Sequence, residues 1–147
     1  ATRLAPRRMY LCASPTYLEH HGAPHSLSEL PRHNCLIGSS DQWVFLQNGR
    51  ETAIRVQGNW RCNSGKAVLD AALLGFGLCQ LPDYYVQEHL RGGALRSLLQ
   101  QHQPPHTAVW ALYPHQRHLS PKVRLLIDHL KTGMAERPEY AEQTDRS

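Results

Sequence analysis

Asn63 and Ser64 stand directly before an apolar-rich run in the stretch RCNSGKAVLDAALLGFGLCQLP, Arg61–Pro82. Both residue types favour helix N-caps, so the run reads as a helix that starts just after them. The first turn of such a helix carries amide donors without intrahelical acceptors and the positive end of the helix dipole, a ready place for a carboxylate. Lys66 falls in that turn, where a cation opposes the dipole by about 0.3–1 kcal/mol. Either it reaches into solvent, or it belongs to a site that tolerates the local cost.

The other reactive residue types form no recognisable constellation. Cys12, Cys35, Cys62 and Cys79 are the chain's four cysteines. They lie in strand-like apolar sequence with no CxxC, which gives zinc ribbons and thioredoxin-type chemistry no support. Buried, reduced thiols are the expected state. Seven of the ten histidines gather as His20, His21 and His25, then His102 with His106, then His115 with His118. Those stretches are loop-like and bring no cysteine or carboxylate to ligand spacing, so neither a metal nor a cofactor is expected. A small cytosolic thiol-dependent hydrolase or transferase is the rival class, with Cys62 or Cys12 as nucleophile and His33 as base. No cysteine is set beside a histidine at a strained turn, and Ser14 has no GxSxG around it, so no catalytic residue is assigned.

The elements that must position Asn63 and Ser64 alternate along the chain. Met9–Ala13 reads as a strand running into a helix capped by Ser14-Pro15 and closed by Gly22. Ser26 and Glu29 form a capping box before a short helix ended by Pro31. Cys35–Gly38 reads as a strand, and Ser39-Ser40-Asp41 as a polar loop. Trp43–Leu46 and Thr52–Gln57 flank Asn48-Gly49, the dipeptide of a tight hairpin. Ala67, Val68, Ala71, Ala72 and Leu74 spread so widely that the central helix is expected to be mostly buried. Leu78–Leu81 is a strand, Asp83–Leu90 a helix ended by Gly92-Gly93, and Ala94–Leu99 another strand. Ala108–Tyr113 is a continuous apolar run of the kind found in strands covered on both faces. Val123, Leu126, Ile127 and Leu130 mark one face of a helix closed by Gly133. The order predicts an α/β fold, a mixed sheet flanked by helices.

The chain has 147 residues, 41% hydrophobic and 19% charged, enough for one sizeable core. Its net charge of +4 comes from scattered arginines without a dense block, weak support for nucleic-acid contact by this segment. No apolar run is long enough to cross a bilayer, and ATRLAPRRMY lacks a signal peptide's apolar centre. A soluble, cytoplasmic chain without a membrane partner is expected.

Three blocks, RRMYLCASPTYLEHHGAPHSLSELPRHNCL, WVFLQNGRETAIRVQGNWRCNSGKAVLDAALLGFGLCQLPDYYVQEHLRGGALRSLL and AVWALYPHQRHLSPKVRLLIDHL, cover roughly Arg3 to Lys131. Together they resemble the C-terminal regulatory domain of LysR-type transcriptional regulators. The resemblance implies a two-lobed, periplasmic-binding-protein-like module with an effector held in a cleft, and the helix N-terminus at Asn63 makes a small, anionic effector the expectation. By that likeness residues 1–13 would lead in from a first lobe through the crossover strand Met9–Ala13. Residues 14–105 would make the second lobe, 106–133 the return crossover and C-terminal helix, and 134–147 a mobile tail. The family's effector sites draw on the loop after the lobe's first strand, here Ser39 and Ser40, and on the N-terminus of the central helix, here Asn63 and Ser64. Lys66, Cys12 and Gln80 are further cleft candidates. The implied partners are a small-molecule effector, further copies of the chain in a homo-oligomer, and DNA through a helix–turn–helix domain outside this segment.

Overall fold

The computed structural model describes residues 2–105, 107–111 and 121–135. In chain order the elements are β1 (Thr2–Arg7), β2 (Met9–Ala13), α1 (Pro15–His21), a 3-10 helix at Leu27–Arg32, β3 (Gln42–Gln47), β4 (Arg50–Arg55) and α2 (Gly65–Leu73). They continue as β5 (Cys79–Pro82), α3 (Asp83–Gly92), β6 (Arg96–Leu98), a 3-10 turn at Gln100–His102, β7 (Thr107–Ala111) and α4 (Pro121–Ala135). The chain divides into two units, Arg8–Pro105 and Ala1–Arg7 joined with His106–Ser147.

The Arg8–Pro105 unit is built on an antiparallel sheet in the order β5-β2-β6. Side chains alternate across a strand, and that alternation divides the core in two. Leu11, Ala13, Cys35, Ile37 and Leu78 face one side and pack with Tyr17, Leu30, Trp43 and Phe45. Cys12, Leu36 and Cys79 face the other, against Val68, Leu69 and Ala72 of α2 and Val86 of α3. The sheet is therefore covered on both faces, which fits the nearly continuous apolar run of its middle strand, MYLCA.

Local chemistry sets the ends of the elements. The Ser14 hydroxyl accepts from the Tyr17 N–H at 3.2 Å, and the Glu29 carboxylate accepts from the Ser26 N–H at 2.8 Å. Asn48 and Gly49 take φ of 53° and 75°, the left-handed pair that a two-residue hairpin turn demands. Asn34 ties three distant segments together. Its amide nitrogen donates to the Phe76 carbonyl at 2.7 Å, its amide oxygen accepts from the Asn59 N–H at 2.9 Å, and its carbonyl accepts from the Leu78 N–H at 2.9 Å.

Several expectations need correction. Met9–Ala13 is the middle strand of the sheet within Arg8–Pro105, and the strand that pairs with Thr107–Ala111 is Thr2–Arg7. The charged Arg3 and Arg7 and the strand-unfriendly Pro6 hid β1, whereas the apolar β2 drew attention to itself. Cys35–Gly38 forms no regular strand: one parallel bridge, Cys35 to Leu78, sets it beside the start of β5, and another, Ile37 to Arg61, joins it to the segment before α2. The helix from Leu27 runs through Pro31 to Arg32; at the fifth of its six positions the proline forgoes one backbone donor without ending the helix. Helix α2 is amphipathic rather than mostly buried: Val68, Leu69, Ala71 and Ala72 face inward while Lys66, Asp70 and Leu74 are exposed.

In the second unit β1 and β7 pair antiparallel, with the register slipping between Arg3 and Ala5, and α4 packs on β1. Helix α4 passes through Gly133 to Ala135. Ile127 is buried, whereas Leu126 is 56% exposed, so Val123, Ile127 and Leu130 form the inner seam and Leu126 flanks it. Tyr113 and the tail beyond Ala135 lie outside the described residues. Among the described residues no helix is long and apolar enough to cross a membrane.

The tight approach at Asn34 yields a stability test. A Cβ on Gly77 would run into the Asn34 carbonyl oxygen, while one on Gly92 meets open space. Gly77→Ala should destabilise by about 1–3 kcal/mol through overpacking, and Gly92→Ala, inside α3, should stabilise by about 0.5–1 kcal/mol. Urea unfolding midpoints at unchanged slope measure both.

Candidate effector site

The short extended run after Asn34 carries two loops to one place. The Ile37 N–H donates to the Trp60 carbonyl at 3.3 Å, and the Cys62 N–H donates back to the Ile37 carbonyl at 2.9 Å. Because this pairing is parallel, the residues that follow Ile37 and those that follow Arg61 leave the sheet together in the same direction. A Cβ on Gly38 would sit 3.9 Å from both the Cys62 carbonyl oxygen and Val68 Cγ2. The Ser39-Ser40 loop thus emerges beside the Cys62–Ser64 turn, at the head of α2.

Ser64 is the helix cap. Its hydroxyl accepts from the Ala67 N–H at 3.3 Å, and its carbonyl accepts from the Val68 N–H at 3.1 Å. The amides of Gly65 and Lys66 have no intrahelical acceptor by the geometry of a first turn. Ser39, Ser40, Asn63 and Ser64 are all exposed. The Ser40 hydroxyl accepts from the Gln42 N–H at 3.1 Å, fixing the loop as it enters β3. Asp41, next in the chain, holds Arg55 at 3.7 Å and Arg61 at 3.6 Å. These are exposed ion pairs of small energetic weight, yet they hold a guanidinium near the turn.

The remaining candidates fare differently. The Lys66 ammonium lies 3.5 Å from Asp70 across one helical turn, which offsets its conflict with the dipole. Gln80 is half-buried and its amide donates to the Val44 carbonyl at 2.9 Å; it lines a small hollow with Tyr10, Phe45, Ser97 and Gln103. Cys12 is 0% exposed and sits within the apolar cluster under α2. It is a core residue, not an accessible cleft residue, because its parity on β2 turns it toward that helix.

Sequence reasoning did not single out Tyr85. Its ring lies so close to the first turn of α2 that a Cβ on Gly65 would stand 2.6 Å from Cζ and 2.7 Å from the phenol oxygen. The readable signal was the glycine itself, placed straight after the cap where no tight turn required it.

Cys35, His33 and His102 have structural partners. Burial pushes the Cys35 thiol up to about 12, far from the thiolate a nucleophile needs. His33 Nδ1 shares a hydrogen bond with the Tyr17 hydroxyl at 2.8 Å. His102 Nδ1 lies 2.9 Å from the Leu46 carbonyl oxygen. Among the described residues no group of three or more His, Cys, Asp or Glu side chains could hold a metal ion.

A mixed α/β unit with a hydroxyl-lined loop against a helix N-terminus fits a ligand-binding module. A family model described as the LysR substrate binding domain matches residues 1–135, and the chain belongs to that family. Its fold is the periplasmic-binding-protein-like fold of LysR regulatory domains. It is similar to the HTH-type transcriptional activator TtdR of Escherichia coli K12, 32% identical over 139 residues, which cover 91% of this chain and 44% of TtdR. The HTH-type transcriptional regulator PgrR of the same strain is 30% identical over 138 residues, 89% of this chain and 46% of PgrR. Among solved structures, the CrgA regulatory domain from Neisseria meningitidis superposes with a TM-score of 0.78 at 26% identity, covering 90% of this chain and 67% of that domain. Full-length AphB, a virulence activator of Vibrio cholerae, gives 0.76 at 28% identity over 89% of this chain and 46% of AphB. The chain thus spans less than half the length of TtdR and PgrR. These relatives are transcriptional regulators, and the chain is a regulatory domain, not a thiol enzyme.

One histidine gives the domain a pH signature. Burial holds His33 below the ordinary imidazole value, with Glu29 opposing and His21 reinforcing the shift. The unfolded chain therefore binds the proton more readily, so this contribution is complete above about pH 6.5 and is lost as pH falls from there through the folded value. Melting temperature should decline as pH falls below about 6.5, and His33→Phe should flatten that decline.

Proposed function

We propose that this chain is the part of a LysR-type regulator that senses a small, carboxylate-bearing metabolite, held on Arg8–Pro105 by Ser39, Ser40, Asn63 and the first turn of α2. The observation that carries the reading is the parallel Ile37–Arg61 bridge, which brings a hydroxyl-bearing loop to a helix N-terminus. The helix dipole and the Gly65 and Lys66 amides favour an anion there. Lys66 and Gln80 are secondary ligands in this reading, and Tyr85 walls the first turn. The rest of the effector's contacts come from the remainder of the regulator.

In the same reading Arg8–Pro105 is the second lobe of the effector-binding domain. Strands β1 and β7 are the two crossovers, and α4 returns to the first lobe. The complete protein is a cytoplasmic homo-oligomer that binds DNA through a helix–turn–helix domain outside this chain. Effector binding shifts the population between lobe arrangements, and that shift is passed to the DNA-binding domains. The TtdR and PgrR likenesses support the DNA-binding part.

Asn63→Leu and Ser39→Leu, made in the complete regulator, should weaken effector response at least tenfold, equivalent to about 1.4 kcal/mol, and leave promoter affinity unchanged. Reporter titration against effector, with a gel-shift measurement of DNA binding, reads the two separately. Equal loss of response and DNA affinity would contradict the assignment.

A further inference from the structure

Two thiols meet inside the core beneath α2 and α3. Cys12 on β2 and Cys79 on β5 are cross-strand partners in the antiparallel register. Their sulfurs stand 3.4 Å apart, and both residues are 0% exposed. Leu36, Val68, Leu81, Val86 and Leu95 share the same buried apolar cluster. The other two cysteines differ. The Cys35 sulfur faces the Leu30 carbonyl oxygen at 4.0 Å, and Cys62 is only partly buried.

We propose that Cys12 and Cys79 are a dithiol that closes to a cross-strand disulfide when the core is exposed to a hydroperoxide, and reopens with thiol reductant. Antiparallel partners have Cα atoms about 4.5–5.5 Å apart, inside the range of about 4.4–6.8 Å that disulfides span. Bonding requires the sulfurs to close to about 2.05 Å, a movement that side-chain rotation and slight strand adjustment supply. The distance in sequence is 67 positions, so the bond would join two strands of the sheet through a long loop and tie β2 to β5 under the helix that Ser64 caps.

The chemistry balances with the peroxide as the sole oxidant. One thiol gives up its proton, and the thiolate attacks a peroxide oxygen. The O–O bond breaks, one water leaves, and a sulfenic acid remains on the protein. The second sulfur attacks the sulfenic sulfur, the S–O bond breaks, and the hydroxyl leaves with the second thiol's proton as another water. Two thiols lose two electrons and two protons in total, and hydrogen peroxide becomes two waters.

Burial sets the rate of this switch. The hydrogen bond shared with Cys12 and desolvation hold the Cys79 thiol well above its ordinary value, and neither sulfur is open to solvent. Oxidation therefore waits on local opening of the sheet. At high peroxide the rate should become independent of peroxide concentration.

The 147-residue chain, reduced and then freed of reductant, is treated with hydrogen peroxide under native conditions, alkylated in guanidinium, digested without reduction and mapped by mass spectrometry. The expected product is a peptide pair joined through Cys12 and Cys79, absent after dithiothreitol, from protein that melts at a higher temperature than the reduced form. Recovery of Cys12 and Cys79 as alkylated free thiols while Cys62 is oxidised would overturn the proposal. So would a product cross-linked only between chains through Cys62, or a Cys12–Cys79 bond that lowers the melting temperature. Cys79→Ser should abolish the cross-linked peptide pair and leave Cys12 either as an alkylatable thiol or as a dimedone-trapped sulfenic acid; if that variant does not fold, the wild-type peptide map decides alone.

Discussion

The run Asn34–Ile37 holds the larger unit together, and it does so by bonding alternately to its two flanks. The Cys35 and Ile37 amides donate to the carbonyls of Gln57 and Trp60 on one side, while the Leu36 amide donates to the Leu78 carbonyl on the other. Cys35, Leu36 and Ile37 are all buried, so each of these amides would carry the full cost of desolvation without its partner. The same residues send side chains to opposite faces and seed both halves of the core. Secondary-structure bounds alone undervalue this run, since it is joined by single bridges and not by a long ladder.

Two glycines are consequences of that crowding. Gly58 and Gly77 pass so close to the Cys35 and Asn34 carbonyls that a methyl group would collide with backbone oxygen. Neither glycine is there for a positive φ; each is there for space. The arrangement trades side-chain packing for backbone contact, and it fixes where the chain emerges on either side. The hydroxyl loop at Ser39-Ser40 and the cap at Ser64 inherit their positions from it, so the candidate site is a by-product of sheet construction and does not depend on a specialised loop.

What was legible in the sequence was what short-range chemistry decides. Asn48-Gly49 announced its turn because few residue pairs accept two left-handed conformations. Ser14, Ser64 and the Ser26–Glu29 pair announced helix starts because capping needs a hydroxyl or carboxylate at a fixed offset. What was not legible was pairing between distant segments. The strand Met9–Ala13 could be recognised as a strand, but nothing in it says that its neighbours are β5 and β6. Cys12 followed the same logic: its parity decides which layer it enters, and parity says nothing about whether that layer is covered by α2 or open. Lys66 broke the dipole rule on its own turn, and its relief came from Asp70 on the next. Tyr85 comes from a different helix, α3, so no local pattern could have placed it over Gly65.

The β3–β4 hairpin is joined to the rest of its unit differently from every other strand pair in it. No backbone ladder links it to the β5-β2-β6 sheet; the Gln80 amide grips the Val44 carbonyl and His102 grips that of Leu46. Side-chain tethers can be exchanged by point substitution, whereas a ladder must be rebuilt as a whole. Asp41, at the foot of the hairpin, carries the ion pairs with Arg55 and Arg61 and directly follows Ser40. Exchange at positions 80 and 102 changes the polar hold on the hairpin and leaves Trp43 and Phe45 seated in the core, so its charged foot can diversify without rebuilding the scaffold.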